Sequence, residues 1–229
     1  MKDVIGGPAL KTIYKPKVEG LENIPDEGRA IIASNHLSVS DSFFFPIFLS
    51  RPISFFAKSD YFYSPGVKGA LKAKFFTSMG QIPVDRSGGD KTKDSFDSAE
   101  GVLAKGGLFG IYPEGTRSSD GKLHKGHTGV ARIALTTHTP VIPIAMINTN
   151  IAQPIGKLIP SRHPRIGIKI GKPMDFSQYY DQAKDHAVLR KVTDEIMMEI
   201  QKLGGQEYVD EYSAPATKRL DESEKVIRD

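Results

Sequence analysis

The sequence predicts an α/β fold in which helices flank a mixed, largely parallel β-sheet in layers. Short apolar segments such as "RAIIAS" and "ISFFAK" have the composition of buried strands. Between them lie longer stretches whose apolar residues recur at helical spacing. Strands that alternate with helices in this way are typical of layered α/β domains with mainly parallel strands.

Each element follows from its local pattern. Residues 165–171 alternate with a period of two, as in a half-buried strand, and strands are also predicted at residues 29–34, 53–58, 81–86 and 140–148. "LFGIYPEGTRS" is predicted to be a strand that runs into a polar loop. Asp41 is expected to begin a short helix. The longest helix is predicted from Tyr179 to Leu203, and shorter helices are predicted at residues 65–80, 90–107 and 128–138.

Length and composition indicate a single domain at residues 1–205, followed by a polar C-terminal tail at 206–229. The absence of cysteine excludes disulfides, thiolate metal sites and thiol nucleophiles. A net charge of +4 is too small to indicate nucleic acid as a partner. The N-terminus lacks the apolar core of a signal peptide, and the apolar region 43–57 is interrupted before it reaches the ~20 residues of a membrane span.

Three polar segments follow predicted strands: "SNHLSVSD", "DRSGGD" and "PEGTRSSDG". Ligands of open α/β sheets bind outside the carboxyl ends of the strands. We therefore expect these three segments to converge on one face of the sheet and to form a site there.

The first segment contains His36 and Asp41. In a continuous helix, residues five apart point about 140° from each other, so the two side chains would diverge. A loop at His36 followed by a helix at Asp41 would bring them together as a base and its orienting carboxylate. The alternative is that Asp41 or Ser40 only caps the helix and that His36 lies on the surface.

The third segment lies within "IYPEGTRSSDGKLHKG", which places a carboxylate, a hydroxyl and a guanidinium within four residues. Arg117 has the planar fork that suits a phosphate, and Lys125 stands where a helix begins. A solvated turn with a local salt bridge is the alternative interpretation. A second alternative is a metal site formed by His124 and His127 together with His36.

The order of four motifs gives a family resemblance. "NHLSVSD" has the form N-H-x4-D, and "GQIPVDR", "YPEGTRS" and "TPVIPIA" follow it within about residues 30–145. This arrangement resembles the glycerolipid acyltransferase family, in particular its bacterial 1-acylglycerol-3-phosphate acyltransferases. Two positions depart from the family pattern, because Pro83 replaces a bulkier residue and Tyr112 replaces Phe.

The resemblance implies that His36 is the general base and that Asp41 orients it. It also implies a site for the glycerol phosphate of the acceptor and no metal ligands. The expected substrate-binding residues are Asn35, Arg86, Glu114, Gly115, Thr116, Arg117 and Lys125.

The expected activity is transfer of a fatty acyl group from a thioester, acyl-CoA or acyl carrier protein, to 1-acylglycerol 3-phosphate. The product would be phosphatidic acid, and no cofactor would be needed. Alternatives are another acceptor (a lysophospholipid, glycerol 3-phosphate or another polar lipid) and a non-catalytic lipid-binding module. We expect peripheral attachment to the cytoplasmic face of a membrane, through the phenylalanines of residues 43–56 and the segment "KGALKAKFF".

Overall fold

A computed structural model describes residues 6–78, 80–84 and 90–213 of the chain. Within these residues the predicted layers are present. A seven-stranded sheet forms the middle layer, and helices pack on both of its faces. A second, two-stranded sheet lies outside it.

The strands follow one another with helices between them, and most of the central ones are fully buried. They are β1 (Lys17–Glu19), β2 (Ala30–Ser34), β3 (Ile53–Lys58), β4 (Ile82–Val84), β5 (Leu108–Ile111), β6 (Leu123–His124), β7 (Val141–Ile147), β8 (Gly167–Ile170) and β9 (Tyr208–Val209).

The α-helices range from single turns to 19 residues. They are α1 (Gly6–Tyr14), α2 (Asp41–Phe44), α3 (Asp60–Tyr63), α4 (Gly66–Ser78), α5 (Asp90–Ala104), α6 (Gly129–Thr137), α7 (Thr149–Ala152) and α8 (His186–Gly204). Among the described residues, no helix is both long and apolar enough to cross a bilayer.

The strand order in the main sheet is β1-β8-β7-β2-β5-β3-β4. Only the β7–β8 pair is antiparallel; the other neighbouring strands of this sheet run parallel. β2 is central, since it pairs with β5 on one side and β7 on the other. The predicted mixed, largely parallel sheet is therefore confirmed.

Strand β2 divides the core into two layers. Ile31 and Ala33 pack with apolar residues of α5, α6 and α8, whereas Ala30 and Ile32 pack on the opposite face with α2 and the strand residues beyond it. All four side chains are fully buried. A strand that is apolar on both faces is expected where helices cover both sides of a parallel sheet.

The bounds of two sequence predictions need correction. The last helix begins at His186 rather than Tyr179, because Asp185 caps it by accepting hydrogen bonds from the amides of residues 187 and 188; a 3-10 helix precedes it. The helix predicted at residues 65–80 is present as α4, and it leaves Val67 87% exposed and Leu71 70% exposed. Residues 206–213 contact the domain through β9, whereas 214–229 lie outside the described residues, so the predicted tail stays a prediction there.

A substitution at Gly110 can test how tightly the side chains of the sheet pack next to the site. A Cβ built on Gly110 in β5 would lie 2.2 Å from a ring carbon of Phe55 on β3. We predict that Gly110→Ala lowers the free energy of unfolding by about 1–3 kcal/mol, because the core has no room for the added methyl group. The measurement is chemical denaturation.

Gly101→Ala is the matched control, because a Cβ at Gly101 in α5 would meet nothing within 4 Å. This substitution should leave stability unchanged or raise it by up to about 1 kcal/mol, as expected for alanine within a helix. Equal behaviour of the two variants would contradict the packing argument.

Candidate active site

The site lies at the carboxyl ends of β2 and β5, which are parallel neighbours with Ala33 opposite Ile111. The chain leaves β2 into residues 35–41 and leaves β5 into residues 112–118. The two loops touch directly, because the amide of Ser118 donates a hydrogen bond to the carbonyl of His36 at 2.7 Å. Two of the three predicted polar segments therefore converge as expected.

His36 and Asp41 form the centre of the site. The Nδ1 atom of His36 lies 3.0 Å from Oδ2 of Asp41, whose side chain is completely buried, while 17% of the His36 side chain is exposed. The same Oδ2 accepts the backbone amides of Leu37 at 2.7 Å and Ser38 at 2.8 Å. The loop at residues 36–40 thus folds around this carboxylate, which brings the two side chains together despite their spacing.

This geometry fixes the tautomer of the imidazole. A carboxylate at Nδ1 favours the ring form that carries its proton on Nδ1, and Nε2 then keeps its lone pair. Nε2 can accordingly take a proton from a substrate that approaches the exposed edge of the ring. The pair has the arrangement of a general base and its orienting acid.

Tyr112 forms one wall of the site. Its ring stacks on His36 with centroids 3.9 Å apart and planes 11° apart, and Phe55 stacks behind it at 5.4 Å. Its hydroxyl lies 2.8 Å from the Ser42 hydroxyl. Burial and the nearby Asp41 charge raise the pKa of Tyr112 well above its usual range, so the phenol stays neutral.

Glu114 connects the loop after β2 with strand β6. It is 1% exposed, and its carboxylate accepts the amide of His36 at 3.1 Å and the amide of His124 at 3.0 Å. Burial raises the pKa of Glu114 to about 7, although these two hydrogen bonds act in the opposite direction. Both oxygens contact the backbone, and the predicted contact with the acceptor stays a prediction.

A second His–Asp pair supports the loop after β5. His124 is 3% exposed, and its Nε2 atom lies 3.1 Å from the Asp120 carboxylate. Partial burial alone would raise the pKa of Asp120, but hydrogen bonds from His124, the Lys122 amide and Ser118 lower it well below its usual range. An ionised Asp120 therefore stabilises the turn that holds Arg117.

Residues 115–117 form the turn of that loop. Gly115 has φ 72°, a left-handed conformation that glycine adopts without strain, and a Cβ there would lie 3.1 Å from the His127 ring. Thr116 and Arg117 are half-buried. Arg86 lies outside the described residues, so the proposed pairing of two arginines on one phosphate stays a prediction.

Asn35 requires a correction. It is fully buried, and its amide bonds the backbone of Met146 in β7, donating to the carbonyl at 2.9 Å and accepting the amide at 2.7 Å. It also donates to Gln206 at 2.5 Å. Because no surface of Asn35 is open to a ligand, its role is to connect β2, β7 and the segment after α8 rather than to bind substrate.

Lys125 is partly buried and already paired. Its Nζ atom lies 2.9 Å from the Asp210 carboxylate, and its amide donates to the carbonyl of Glu211. Asp210 and Glu211, which follow β9, therefore already bind the lysine that was predicted to bind the acceptor. A phosphate would have to compete with Asp210, so this contact also stays a prediction.

The metal site predicted as an alternative is not supported by the geometry. His124 bonds Asp120 and His127 stacks on Tyr212, and the described residues contain no group of three potential metal ligands.

Sequence reasoning identified Tyr112 only as a departure from the family pattern and did not anticipate its contact with His36. It also missed Ser42 and the pair of Asp120 with His124. The position of Tyr112 directly after a strand that neighbours β2 is the signal that could have revealed the stacking. The buried partner pairs required the three-dimensional structure.

A layered α/β sheet with a His–Asp pair at the ends of its strands forms a site suited to general base catalysis, and comparison with known proteins identifies its family. The acyltransferase family model matches residues 15–147, and the chain belongs to this family. The predicted resemblance is therefore confirmed.

Individual relatives agree with this assignment. The chain is similar to a chloroplastic 1-acyl-sn-glycerol-3-phosphate acyltransferase of Arabidopsis thaliana, with 31% identity over 74% of this chain and 46% of the relative. Identity to the enzyme of that name from Pseudomonas aeruginosa is 34%, over 56% of this chain and 48% of the relative. The chain thus spans about half the length of these relatives.

A solved structure shows the same fold. The crystal structure of the 1-acyl-sn-glycerophosphate acyltransferase from Thermotoga maritima superposes with a TM-score of 0.62 and 26% identity. The match covers 86% of this chain and 76% of that chain.

The raised pKa of Glu114 predicts a specific dependence of stability on pH. Since the pKa of Glu114 is about 7 in the folded protein and its ordinary value is 4.5, the folded state binds the proton more tightly. The resulting stabilisation is fully present below about pH 4.5 and is lost as the pH rises through about 7. At about 1.4 kcal/mol per pKa unit it amounts to roughly 3 kcal/mol.

Glu114→Gln should remove this titration. We predict that the free energy of unfolding of the wild type, relative to that of the variant, falls by up to roughly 3 kcal/mol between pH 4 and pH 8. Denaturant titrations across this range provide the measurement. Glu22→Gln, at an exposed position, is the matched control, and a difference that does not vary with pH would contradict the buried, titrating carboxylate.

Proposed function

We propose that this chain transfers a fatty acyl group from a thioester to the free hydroxyl of 1-acylglycerol 3-phosphate, which yields phosphatidic acid. The observation that carries the proposal is the hydrogen bond of 3.0 Å between His36 and the buried Asp41. The names of the relatives, which are 1-acyl-sn-glycerol-3-phosphate acyltransferases, support this choice of acceptor.

The proposed step needs only the base and the substrates. Nε2 of His36 takes the proton of the acceptor hydroxyl while the oxygen attacks the thioester carbonyl carbon. Asp41 stabilises the imidazolium that forms. The tetrahedral intermediate then collapses, the carbon–sulfur bond breaks, and the leaving thiolate takes the proton from Nε2. An ester and a free thiol result, and the imidazole returns to its starting state.

Positioning of the base supports the same mechanism. An imidazole that must approach a hydroxyl needs a defined orientation. Tyr112 and Asp41 restrain the ring of His36, and Glu114 accepts a hydrogen bond from the backbone amide of His36. Restraint of this kind contributes to catalysis by reducing the entropy lost on reaching the transition state.

The acceptor phosphate is proposed to bind Arg117 and Arg86. The loop that carries Arg117 touches His36 through the bond between the Ser118 amide and the His36 carbonyl. A phosphate held there would bring the glycerol hydroxyls of the same molecule towards the base. The rigid guanidinium fork suits a phosphate dianion.

No cofactor is proposed, because the thioester supplies an activated carbonyl and the His–Asp pair supplies the proton transfer. Acyl-CoA and acyl carrier protein are both proposed as donors, since they present the same thioester. The amphiphilic acceptor implies that the chain works as a peripheral protein on the cytoplasmic face of a membrane. The buried phenylalanines Phe44, Phe45 and Phe55 belong to the core and do not contribute to such a surface.

His36→Ala is expected to lower kcat by roughly 10²–10⁴-fold, the usual contribution of a general base. Asp41→Asn should also lower kcat more than it changes KM, since an amide presents the wrong partner to Nδ1. Turnover is measured with 1-acylglycerol 3-phosphate as the acceptor and with acyl-CoA or acyl carrier protein as the donor. A panel of other acceptors includes glycerol 3-phosphate.

His186→Ala, at an exposed histidine on the first turn of α8, is the control for loss of an imidazole. Thermal denaturation checks that each variant folds. Activity of folded His36→Ala within about tenfold of the wild type would refute its role as the base, and a preference for another acceptor would replace the proposed substrate.

Arg117→Ala and Arg86→Ala are expected to raise KM for the phosphate-bearing acceptor roughly 10- to 100-fold, since a charge-assisted hydrogen bond contributes about 1.5–3 kcal/mol. KM for the acyl donor should change less. Arg29→Ala is the matched control, because the exposed Arg29 precedes β2 and lies at the opposite edge of the sheet. Unchanged acceptor KM in both Arg117 and Arg86 variants would rule out the phosphate clamp.

A further inference from the structure

An apolar tip projects from the loop between α7 and β8. Leu158 is 92% exposed and Ile159 is 71% exposed, and Ile151 on the adjoining α7 is 57% exposed. We call residues 157–162 the tip loop. Two neighbouring aliphatic side chains that are open to water on one loop are unfavourable unless another phase or molecule covers them.

The tip loop has cations on both sides and no acidic residue near it in the sequence. No Asp or Glu occurs from Gly121 to Met174, whereas Lys157, Arg162 and Arg165 flank the apolar pair. Lys157 donates to the neutral hydroxyl of Ser161 at 2.7 Å. An apolar tip with cations around it suits an anionic lipid surface, in which the aliphatic groups enter the acyl region and the cations meet the headgroups.

The tip loop is connected to the proposed catalytic pair by hydrogen bonds. The side chain of Gln153 donates to the carbonyls of Lys157 and Leu158 at 3.0 and 2.9 Å. The hydroxyl of Ser38 in turn donates to the Gln153 carbonyl at 2.9 Å. The amide of Ser38 bonds Asp41 directly, so only two residues separate the tip from the carboxylate.

The N-terminal helix contributes to the same surface. The Tyr14 hydroxyl donates to the carbonyl of Pro160 at 3.2 Å, and Nε of Arg165 donates to the carbonyl of Lys15. Helix α1 leaves Ile13 44% exposed and has Lys11 exposed as well. The end of α1 therefore lies beside the tip loop, and this helix carries an exposed apolar residue and an exposed cation.

We propose that the tip loop, supported by the end of α1, inserts into an anionic bilayer and holds the His36–Asp41 site against the lipid surface. This proposal rests on the proposed function, in which the acceptor is an amphiphile. Hydrogen bonds through Gln153 and Ser38 connect the inserted loop to Asp41. The base is thereby placed at a fixed height above the acyl region, where an acceptor hydroxyl at headgroup level can reach it.

The chain contains no tryptophan, so a single one can report on insertion. Leu158→Trp places the probe on the tip loop. Val67→Trp, at the 87% exposed position on α4, is the matched control and also tests the rival surface predicted from the sequence. The vesicles are pure phosphatidylcholine, or an equal mixture of phosphatidylcholine and phosphatidylglycerol, with and without brominated acyl chains.

We expect a blue shift and bromine quenching for Leu158→Trp with the anionic vesicles. Binding should be weaker with pure phosphatidylcholine and should decrease at high salt, since the electrostatic part is screened. Val67→Trp should show neither change. A response of Val67→Trp alone would overturn the proposal, and so would a blue-shifted Leu158→Trp before lipid is added, together with a dimer by light scattering.

Leu158→Asp combined with Ile159→Asp tests the link to activity. Vesicle affinity and turnover of acceptor embedded in vesicles should each fall at least about tenfold, because charged residues do not enter the acyl region. Turnover of short-chain, water-soluble donor and acceptor should stay within about twofold, as the tip does not contact the reacting atoms. Equal loss on both substrates would overturn the proposal.

The two proposals fail in different ways. If Leu158→Trp responded to anionic vesicles but the wild type turned over neither form of the acceptor, the proposed function would be wrong and the membrane surface would stand. If the wild type turned over the soluble acceptor but no probe on the tip loop responded to anionic vesicles, the membrane surface would be wrong.

Discussion

The buried carboxylate of Asp41 is the interaction on which the site depends. One oxygen accepts two consecutive backbone amides and the imidazole of His36, so a single charge determines both the path of the loop and the orientation of the base. Without it, a polar loop between two apolar segments would have no reason to fold inward. The burial is tolerated because amide and imidazole donors replace water around the charge.

Glu114 repeats this arrangement in the neighbouring loop. It too is buried and accepts two backbone amides, those of His36 and His124. Together the two carboxylates hold loops that leave adjacent parallel strands, and the direct bond from the Ser118 amide to the His36 carbonyl closes the arrangement. The strand order therefore positions the loops, whereas the carboxylates give them their shape.

The sequence predicted the elements that depend on local pattern. The alternation of apolar strands with amphipathic helices indicated the mixed sheet, and the N-H-x4-D spacing indicated the His36–Asp41 pair. It did not predict that Asn35 is buried, because a polar residue after a strand is equally consistent with a ligand contact or with a bond to the next strand. The choice depended on Met146, which is 111 residues away in the chain.

Exposure was harder to predict for a similar reason. Val67 and Leu71 recur at helical spacing, yet α4 leaves both exposed. Among the phenylalanines of residues 43–56, which were expected to meet lipid, Phe44, Phe45 and Phe55 are buried, whereas the others are only partly buried. Hydrophobic spacing identifies one face of an element but not which neighbour covers it. The exposed pair at Leu158 and Ile159 has no periodic pattern at all, so only its position in the folded chain distinguishes it.

The second oxygen of Asp41 gives the pair a further property. Oδ1 is buried and has no hydrogen-bond partner among the described residues, so the negative charge is incompletely compensated while His36 is neutral. The charge on an imidazolium at Nδ1 would complete that compensation. Asp41 is therefore stabilised most at the moment when His36 has taken a proton, which is the state that the proposed acyl-transfer step passes through. An interaction that strengthens on the way to the transition state accelerates the reaction without holding the substrate more tightly.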